Sequence, residues 1–545
     1  MQLCSSVGFF SLQKAVHKSC ISLEQVTSDK QVVSDNNSPI AKREAGVLLH
    51  VSSLPGEFGI GDMGPAARKF IDFLAEAGHS VWQVLPLTVT SEGTGYSPYS
   101  AWSAFAGNPL FIDPWQLVDM GLAERRMVKK QRIKTRNRVR YRQASGIRLE
   151  LLDRAFLHYT RHPQQSLQQA FSIFKEREKY WLDDFAIFGL LAEKFHHRPW
   201  HTWPSAYRDR NPDALAEFAA THRDALEKTR FIQFLFSAQW NGLREYAGEK
   251  GVKIFGDIPV YIDYQSADAW AHPELFKLNS EKTLQAVAGV PPDYFNQDGQ
   301  LWGMPVFNWK VMQKNGFDWW IRRIRKNLEW FDLLRLDHFR GFSAYWEIPA
   351  KAETAAAGRW VPGPGKKLFE AIRKNFPSMP FVAEDLGMID QPVYELRDQY
   401  GLPGMAVLQF GFGEDAETSI HHPENMRESF IAYTGTHDNN TLKGWYRHET
   451  DLPARKRIRH YVAKKRLAKG LFKSLIFTVF ASTARLAVIP LQDWLELDEK
   501  SRMNMPSSAQ GNWKWKIRKR DLRKKLAKRM SETAKHTGRM SEHHK

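Results

Sequence analysis

The chain has 545 residues, 78 Lys+Arg against 60 Asp+Glu for a formal charge of +18, and 34 Phe, 19 Trp and 16 Tyr. So many aromatic side chains exclude a disordered chain, because they demand a large core or a large lined groove. The two cysteines, Cys4 and Cys20, exclude a disulfide framework and a cysteine-built zinc site, and fit a reducing compartment. In chain order, residues 1–44 read as an extension. Its first 40 residues hold eight serines, no arginine and no acid before Glu24, which fits either a disordered tail or an organelle transit peptide. Eight short β-rich runs follow: Val47–Val51, Ser80–Leu85, Val252–Ile258, Phe331–Leu336, Pro380–Ala383, Met405–Phe410, Phe430–Tyr433 and Arg485–Leu491. Near-continuous apolar runs with helical patterns between them predict a parallel sheet covered on both faces, and eight predict a closed (β/α)8 TIM barrel. The stretch Leu471–Pro490 is interrupted by Lys473 and Arg485, so it reads as a buried helix and a strand, and no membrane span is expected.

The spacing of the runs is uneven. It predicts a largely helical insertion at about 110–247 and a second at 263–330, rich in Pro, Gly, Trp and Asp, within one barrel unit at 45–518. A basic helical tail at 519–545 completes the division. The charge is local: residues 124–142 carry ten Lys/Arg and one acid, and residues 514–545 carry thirteen Lys/Arg and three acids, which leaves the rest of the chain near neutral. Such blocks read first as solvated faces or tails, so RNA, DNA or anionic lipid is disfavoured as a partner unless the two form one surface. GPGKK at 363–367 lacks the leading Gly of a phosphate-binding loop and no H-E-x-x-H occurs, so neither nucleotide nor metalloprotease chemistry has support.

Barrel chemistry gathers where strands end. Asp337 follows FDLLRL, Glu384 follows PFVA, Asp438 closes FIAYTGTHDNN and Asp257 sits in IFGDIPVYI. One such carboxylate is usually a cap or a turn former; four at strand rims point to the paired carboxyls of glycoside chemistry, one protonating the leaving oxygen and one attacking or activating water. Arg335, two residues before Asp337 on the same strand face, suits an anionic partner, and the apolar flank of Glu384 suits an acid catalyst whose pH–rate limb disappears in Glu384→Gln. His338 and His437 adjoin two of these acids and read either as donors to sugar hydroxyls or as packed, hydrogen-bonded histidines. Tyr96, Tyr99, Tyr294, Phe295 and Trp302 are the aromatic candidates for stacking on sugar rings.

AGVLLHVSSLPGEFGIGDMG, VWQVLPL, YSPYSAWSAFAGNPLFID, FGDIPVYIDYQSADAW, PPDYFNQDGQLWGMPVFNW, LRLDHFRGF, FVAEDLG, YTGTHDNNT and IPLQDWLELDEKSRMNMPSSAQGNWKW, in this order over residues 45 to 518, resemble the 4-α-glucanotransferases of glycoside hydrolase family 77. The resemblance implies a (β/α)8 barrel with inserted subdomains and no C-terminal β-sandwich, and transfer of α-1,4-glucan segments to the 4-hydroxyl of glucose or a maltooligosaccharide by a retaining double displacement. It implies Asp337 as nucleophile, Glu384 as acid/base and Asp438 as the acid that grips ring hydroxyls. By the same motif positions Arg335, His338, Asp257 and His437 hold the sugar at the cleavage point, and Ser97, Tyr99, Gln300 and Trp302 line the groove. No cofactor and no metal belong to the mechanism, and the partners are maltooligosaccharides, amylose or glycogen-type α-glucans. A cytoplasmic location is expected, or the plastid stroma if residues 1–40 are a transit peptide. A loop at 288–309 laid over the groove would exclude water and favour transfer. The chain reads HVSSLPG at 50–56 where the family often has HPTSLPG, and arginines fill 124–142 where a more acidic or mixed stretch is usual. Two other readings are weighed against transfer: an α-glucan hydrolase on the same barrel, and a nucleic-acid or glucan-binding protein without turnover, disfavoured because all three acids stand in their motifs.

Overall fold

The computed structural model describes residues 39–542 except 134, 293–296, 466–469, 507 and 509; Cys4, Cys20, Tyr294 and Phe295 and the reading of residues 1–38 lie outside the described residues. All eight runs become strands of one parallel sheet: β1 (Glu44–Leu48), β2 (Val81–Gln83), β3 (Lys253–Ile258), β4 (Leu333–Leu336), β5 (Phe381–Ala383), β6 (Gly404–Val407), β7 (Phe430–Tyr433) and β8 (Leu486–Pro490). They pair in the order β6-β7-β8-β1-β2-β3-β4-β5, which is chain order around a ring. In β3, Gly256 is obligatory, since a Cβ there would lie 2.2 Å from the Phe331 ring.

The helices cover the ring. α1 (Pro65–Glu76) starts with Pro at its first turn, buries Phe70, Ile71 and Leu74 on one face and ends at Gly78, whose φ of +69° closes a left-handed cap. Between β2 and β3 run the long helices α2 (Tyr141–Arg161) and α3 (Gln165–Lys194) before α4 (Arg223–Glu249), which packs against α1 and β3. The next connections carry α5 (Asp318–Trp330), α6 (Gly365–Asn375) and α7 (Gln391–Gln399); α8 (Leu471–Ala481) precedes β8 and α9 (Lys524–His536) follows it. The β6–β7 connection has no α-helix, only the 3-10 turn Leu408–Phe410.

Three sequence boundaries need correction. First, 519–545 is not an appended tail: α9 buries Leu526, Ala527, Met530 and Ala534 and packs on α1 and α8, so it is the eighth barrel helix. Behind it Arg539, 0% exposed, donates to the carbonyls of Phe480, Ser482, Ala484, Arg485 and Glu44. Second, 263–330 is not a plain insertion. α5 is a barrel helix, and Ala286–Val290 and Gln300–Pro305 pair with Ala344–Pro349 and Arg359–Pro362, from the next connection, in a four-stranded antiparallel sheet. The expected 288–309 loop is therefore largely a hairpin. Third, Ile40 is 2% exposed, so the last residues of the extension already belong to the core.

Between β5 and β6 there is no ladder. One backbone bond, Ala383 N–H to the Pro403 carbonyl (2.8 Å), spans the gap, and a side chain completes it: Asp385 Oδ1 accepts from Met405 N (2.7 Å) and Oδ2 from Arg397 Nη1 (2.5 Å).

Candidate active site

The acids of interest sit at the C-terminal rim of the barrel: Asp257 as the penultimate residue of β3, Asp337 directly after β4, Glu384 directly after β5 and Asp438 in the loop after β7. Arg335 in β4 joins two of them, Nη1 lying 2.7 Å from Asp257 Oδ2 and Nη2 lying 2.8 Å from Asp337 Oδ1. Tyr99 donates its hydroxyl to the same Asp257 oxygen at 2.7 Å. Asp257 Oδ1 is buried without a hydrogen-bond partner among the described residues.

Glu384 is oriented by backbone. Its Oε2 accepts from His338 N (2.7 Å) and its Oε1 from Leu386 N (3.2 Å). Burial raises its pKa to about 8, opposed by Arg335 and reinforced by the negative charge of Asp337. It is therefore a protonated carboxyl at neutral pH, next to an Asp337 that is one-quarter exposed. Burial likewise raises Asp257, with Arg335 opposing, and lowers His338 to about 4, so that its imidazole is neutral. His338 has φ +49°, and Tyr96 and Trp513 at the same rim have φ +62° and +61°. Three bulky residues in the left-handed region mark a backbone held against its preference by its surroundings.

Asp438 is held from three sides. Asn504 Nδ2 donates to its Oδ1 (2.6 Å), His437 Nε2 lies 3.3 Å from the same oxygen, and Arg502 Nη2 donates to its main-chain carbonyl (2.6 Å). Behind this loop, Asp493 accepts from Thr434 Oγ1 (2.6 Å) and Leu442 N (2.7 Å), anchoring both ends of the 434–442 turn. An aromatic wall completes the rim: Tyr99 stacks on His437 (5.1 Å, 10°) with Trp513 at 5.9 Å, and Trp302, carried by the hairpin, meets His338 edge-on at 4.9 Å.

The structure thus brings Asp257, Arg335, Asp337, His338, Glu384, Tyr99, His437, Asp438 and Trp302 into one network. Ser97 and Gln300 touch only its edge, Ser97 Oγ accepting from Tyr99 N (3.3 Å) and exposed Gln300 accepting from Trp302 Nε1 (3.1 Å). Sequence reasoning missed Asn504, Arg502, Trp513 and Asp385. All four lie in motifs it quoted, RMNMPSSAQGNWKW and AEDLG, but their roles depend on contacts that spacing does not reveal.

Carboxyls in different electrostatic settings, a neutral imidazole and an aromatic wall are the parts for acid-assisted displacement at a sugar carbon. Comparison with known proteins agrees. The profile of glycoside hydrolase family 77, 4-alpha-glucanotransferase, matches residues 49–522. A 4-alpha-glucanotransferase of Aquifex aeolicus is 43% identical over 483 residues, covering 89% of this chain and 97% of that protein. A chloroplastic/amyloplastic 4-alpha-glucanotransferase of Solanum tuberosum is 41% identical over 487 residues, covering 88% of this chain and 83% of that protein. Among solved structures, the amylomaltase of Streptococcus agalactiae in complex with acarbose matches with a TM-score of 0.88 and 37% identity, covering 92% of this chain and all of that one.

Proposed function

The chain belongs to the 4-alpha-glucanotransferase family, glycoside hydrolase family 77, and from that premise we propose how its own residues carry out the transfer of α-1,4-glucan segments. The observation that carries the assignment is the electrostatic contrast between Asp337, paired with Arg335 at 2.8 Å, and Glu384, raised to about 8 by burial. Asp337 attacks C1 of the glucosyl unit at the cleavage point. As the C1–O4 bond breaks, the Glu384 proton passes to the departing oxygen and the reducing-end fragment leaves.

Esterified Asp337 no longer bears a charge. That charge was one of the causes raising Glu384, so its loss lowers the affinity of Glu384 for a proton and readies it as a base. The 4-hydroxyl of an acceptor sugar then gives its proton to Glu384 while its oxygen attacks C1 and the bond to Asp337 breaks. The α-linkage is restored and no water is consumed. Asp438 accepts hydrogen bonds from ring hydroxyls as positive charge develops at C1, buried Asp257 fixes Arg335 and Tyr99 at the cleavage point, and Arg335, His338 and His437 keep these groups in place. Tyr99 and Trp302 offer apolar faces to the sugar, and Ser97 and Gln300 border the groove.

Transfer instead of hydrolysis requires an acceptor sugar to outcompete water at the intermediate, and the hairpin that carries Trp302 across the rim supports that outcome. Incubation with maltotriose tests it: glucose with a ladder of longer maltooligosaccharides, absent in Asp337→Ala, is expected. Glucose and maltose with steadily rising reducing ends would mean a hydrolase.

Among the described residues no helix is long and apolar enough to cross a membrane. We place the enzyme in the cytoplasm, with the plastid stroma as the alternative. Fusion of residues 1–44 to a fluorescent protein separates the two: diffuse signal supports the cytoplasm, plastid import the stroma.

A further inference from the structure

Parts of the two basic segments meet around Arg138 and Trp515 and form one surface. Arg138 and Trp515 make an antiparallel bridge, Val139 N donates to the Lys514 carbonyl (2.8 Å) and Lys516 N to the Asn137 carbonyl (3.1 Å), and Lys516 Nζ donates to Thr135 Oγ1 (2.9 Å). Arg132 and Lys519 close on the same oxygen of Glu57, each at 3.0 Å. Along 138–142 exposed arginines alternate with buried Val139 and Tyr141, so the charged heads face water while the apolar residues anchor the segment. Glu57, Glu92 and Asp521 pair with Arg132, Lys519, Arg142 and Arg518. Exposed Arg136, Arg138, Arg140, Lys514 and Arg520 form no ion pair with any described residue.

This surface is continuous with the catalytic rim. Trp513, next to Lys514, lies 5.9 Å from Tyr99 and 6.0 Å from His437. Tyr141, between Arg140 and Arg142, stacks on Tyr96 at 4.1 Å and donates its hydroxyl to the Trp513 carbonyl (2.8 Å). Unpaired cations therefore begin one residue from the aromatic wall. Uncharged glucan has no use for them, since cations held in water gain only from an anionic partner. Of the aromatic rings at this surface, Tyr141, Trp513 and Trp515 are buried, while Tyr96, stacked on Tyr141, and Trp115, covered by Arg125, are half-buried, so none is presented as a platform for nucleic-acid bases. None of the exposed large apolar side chains of the described residues falls within 125–142 or 514–529, so nothing here inserts into a lipid surface.

We propose that this face binds phosphate monoesters carried on an α-glucan whose chain enters the catalytic groove. The cations hold phosphate on a branch or a distant glucose while an unmodified stretch of the same polymer occupies the rim. This proposal rests on the glucanotransferase reading, which fixes the polymer.

The test uses the full chain and cosedimentation with three probes: an amylopectin rich in phosphate monoesters, the same preparation after phosphatase treatment, and a duplex RNA. Several exposed ion pairs acting together predict binding on the order of tenfold tighter to the phosphorylated glucan than to its dephosphorylated form. The advantage is expected to vanish at about 0.5 M salt and in the triple variant Arg136→Ser/Arg138→Ser/Arg140→Ser, whose disproportionation of maltotriose stays at the wild-type rate. Equal binding of the two glucan preparations overturns the proposal, and so does tighter binding of the RNA. Failure of wild-type protein to disproportionate maltotriose overturns the glucanotransferase reading instead, and leaves the binding comparison readable by itself.

Discussion

At the scale of single residues, the site separates two carboxyls by their surroundings. Glu384, raised to about 8 by burial, delivers a proton only while protonated, so kcat/KM for a maltooligosaccharide donor should fall on the alkaline side near that value. Glu384→Gln should lose about 10²–10⁴-fold in rate together with that limb. α-Glucosyl fluoride, whose leaving group needs no proton, should still load Asp337 in the variant, and a burst of fluoride would report it. A second expectation concerns Asn504, which reaches Asp438 from 66 positions away with a 2.6 Å bond. Losing one hydrogen bond to a charged group costs about 1.5–3 kcal/mol, so Asn504→Ala should lower kcat roughly 10- to 100-fold. KM should move little, because the bond matters most when Asp438 must meet developing charge. A KM effect without a kcat effect would make Asn504 a binding residue.

At the scale of elements, the dipeptide Glu384–Asp385 has two unrelated duties. Asp385 replaces the missing β5–β6 ladder by holding Met405 N and Arg397, and removing it would leave the buried Met405 amide without a partner and Arg397 with Asp398 alone. Asp385→Ala should therefore lower unfolding free energy by about 1–3 kcal/mol in urea, whereas Glu384→Gln should unfold near the wild-type midpoint. The last helix makes a similar case. Arg539 binds carbonyls where α8 ends and β1 and β8 begin, so Arg539→Met should cost about 3 kcal/mol or more in the same assay. These elements show where the sequence was readable. The eight strands announce themselves as apolar runs, and Asp337, Glu384 and Asp438 as acids at or after their ends. α9 was legible as a helix but not as part of the barrel, because its lysines and arginines dominate the composition while only Leu526, Ala527, Met530 and Ala534 face the core. The four-stranded sheet was hidden because its halves come from two connections, and Asn504 and Asp385 because tertiary pairing alone gives them their roles.

At the scale of the whole molecule, buried titrating groups pull stability in opposite directions. Burial lowers His50 to about 3 and His79 and His338 to about 4. Between pH 6.5 and those values the unfolded chain binds protons that the folded chain refuses, so these histidines make stability fall as pH falls. Glu384 at about 8, Asp113 at about 7 and Asp493 at about 6 do the reverse: above about pH 4 the unfolded chain releases protons that the folded chain keeps, so stability falls as pH rises through that range. One histidine is isolated by difference. The stability of wild type relative to His79→Gln should be constant above pH 6.5 and should drop by about 1.4 kcal/mol per pH unit from there down to about pH 4. A flat difference would show that His79 is protonated alike in both states.

The clasp at Asp385 also has a mechanical meaning. Seven junctions of the barrel are sewn by backbone ladders and the eighth is fastened by one backbone bond and a side chain, beside the β6–β7 connection that lacks a helix. A hoop built in this way parts at its fastening first. Deuterium should enter the amides of Phe381–Ala383 and Gly404–Val407 ahead of those in β1 and β2 on the opposite side. Every such breath would pass beside the proton on Glu384, so heat should switch off turnover before it unravels the chain.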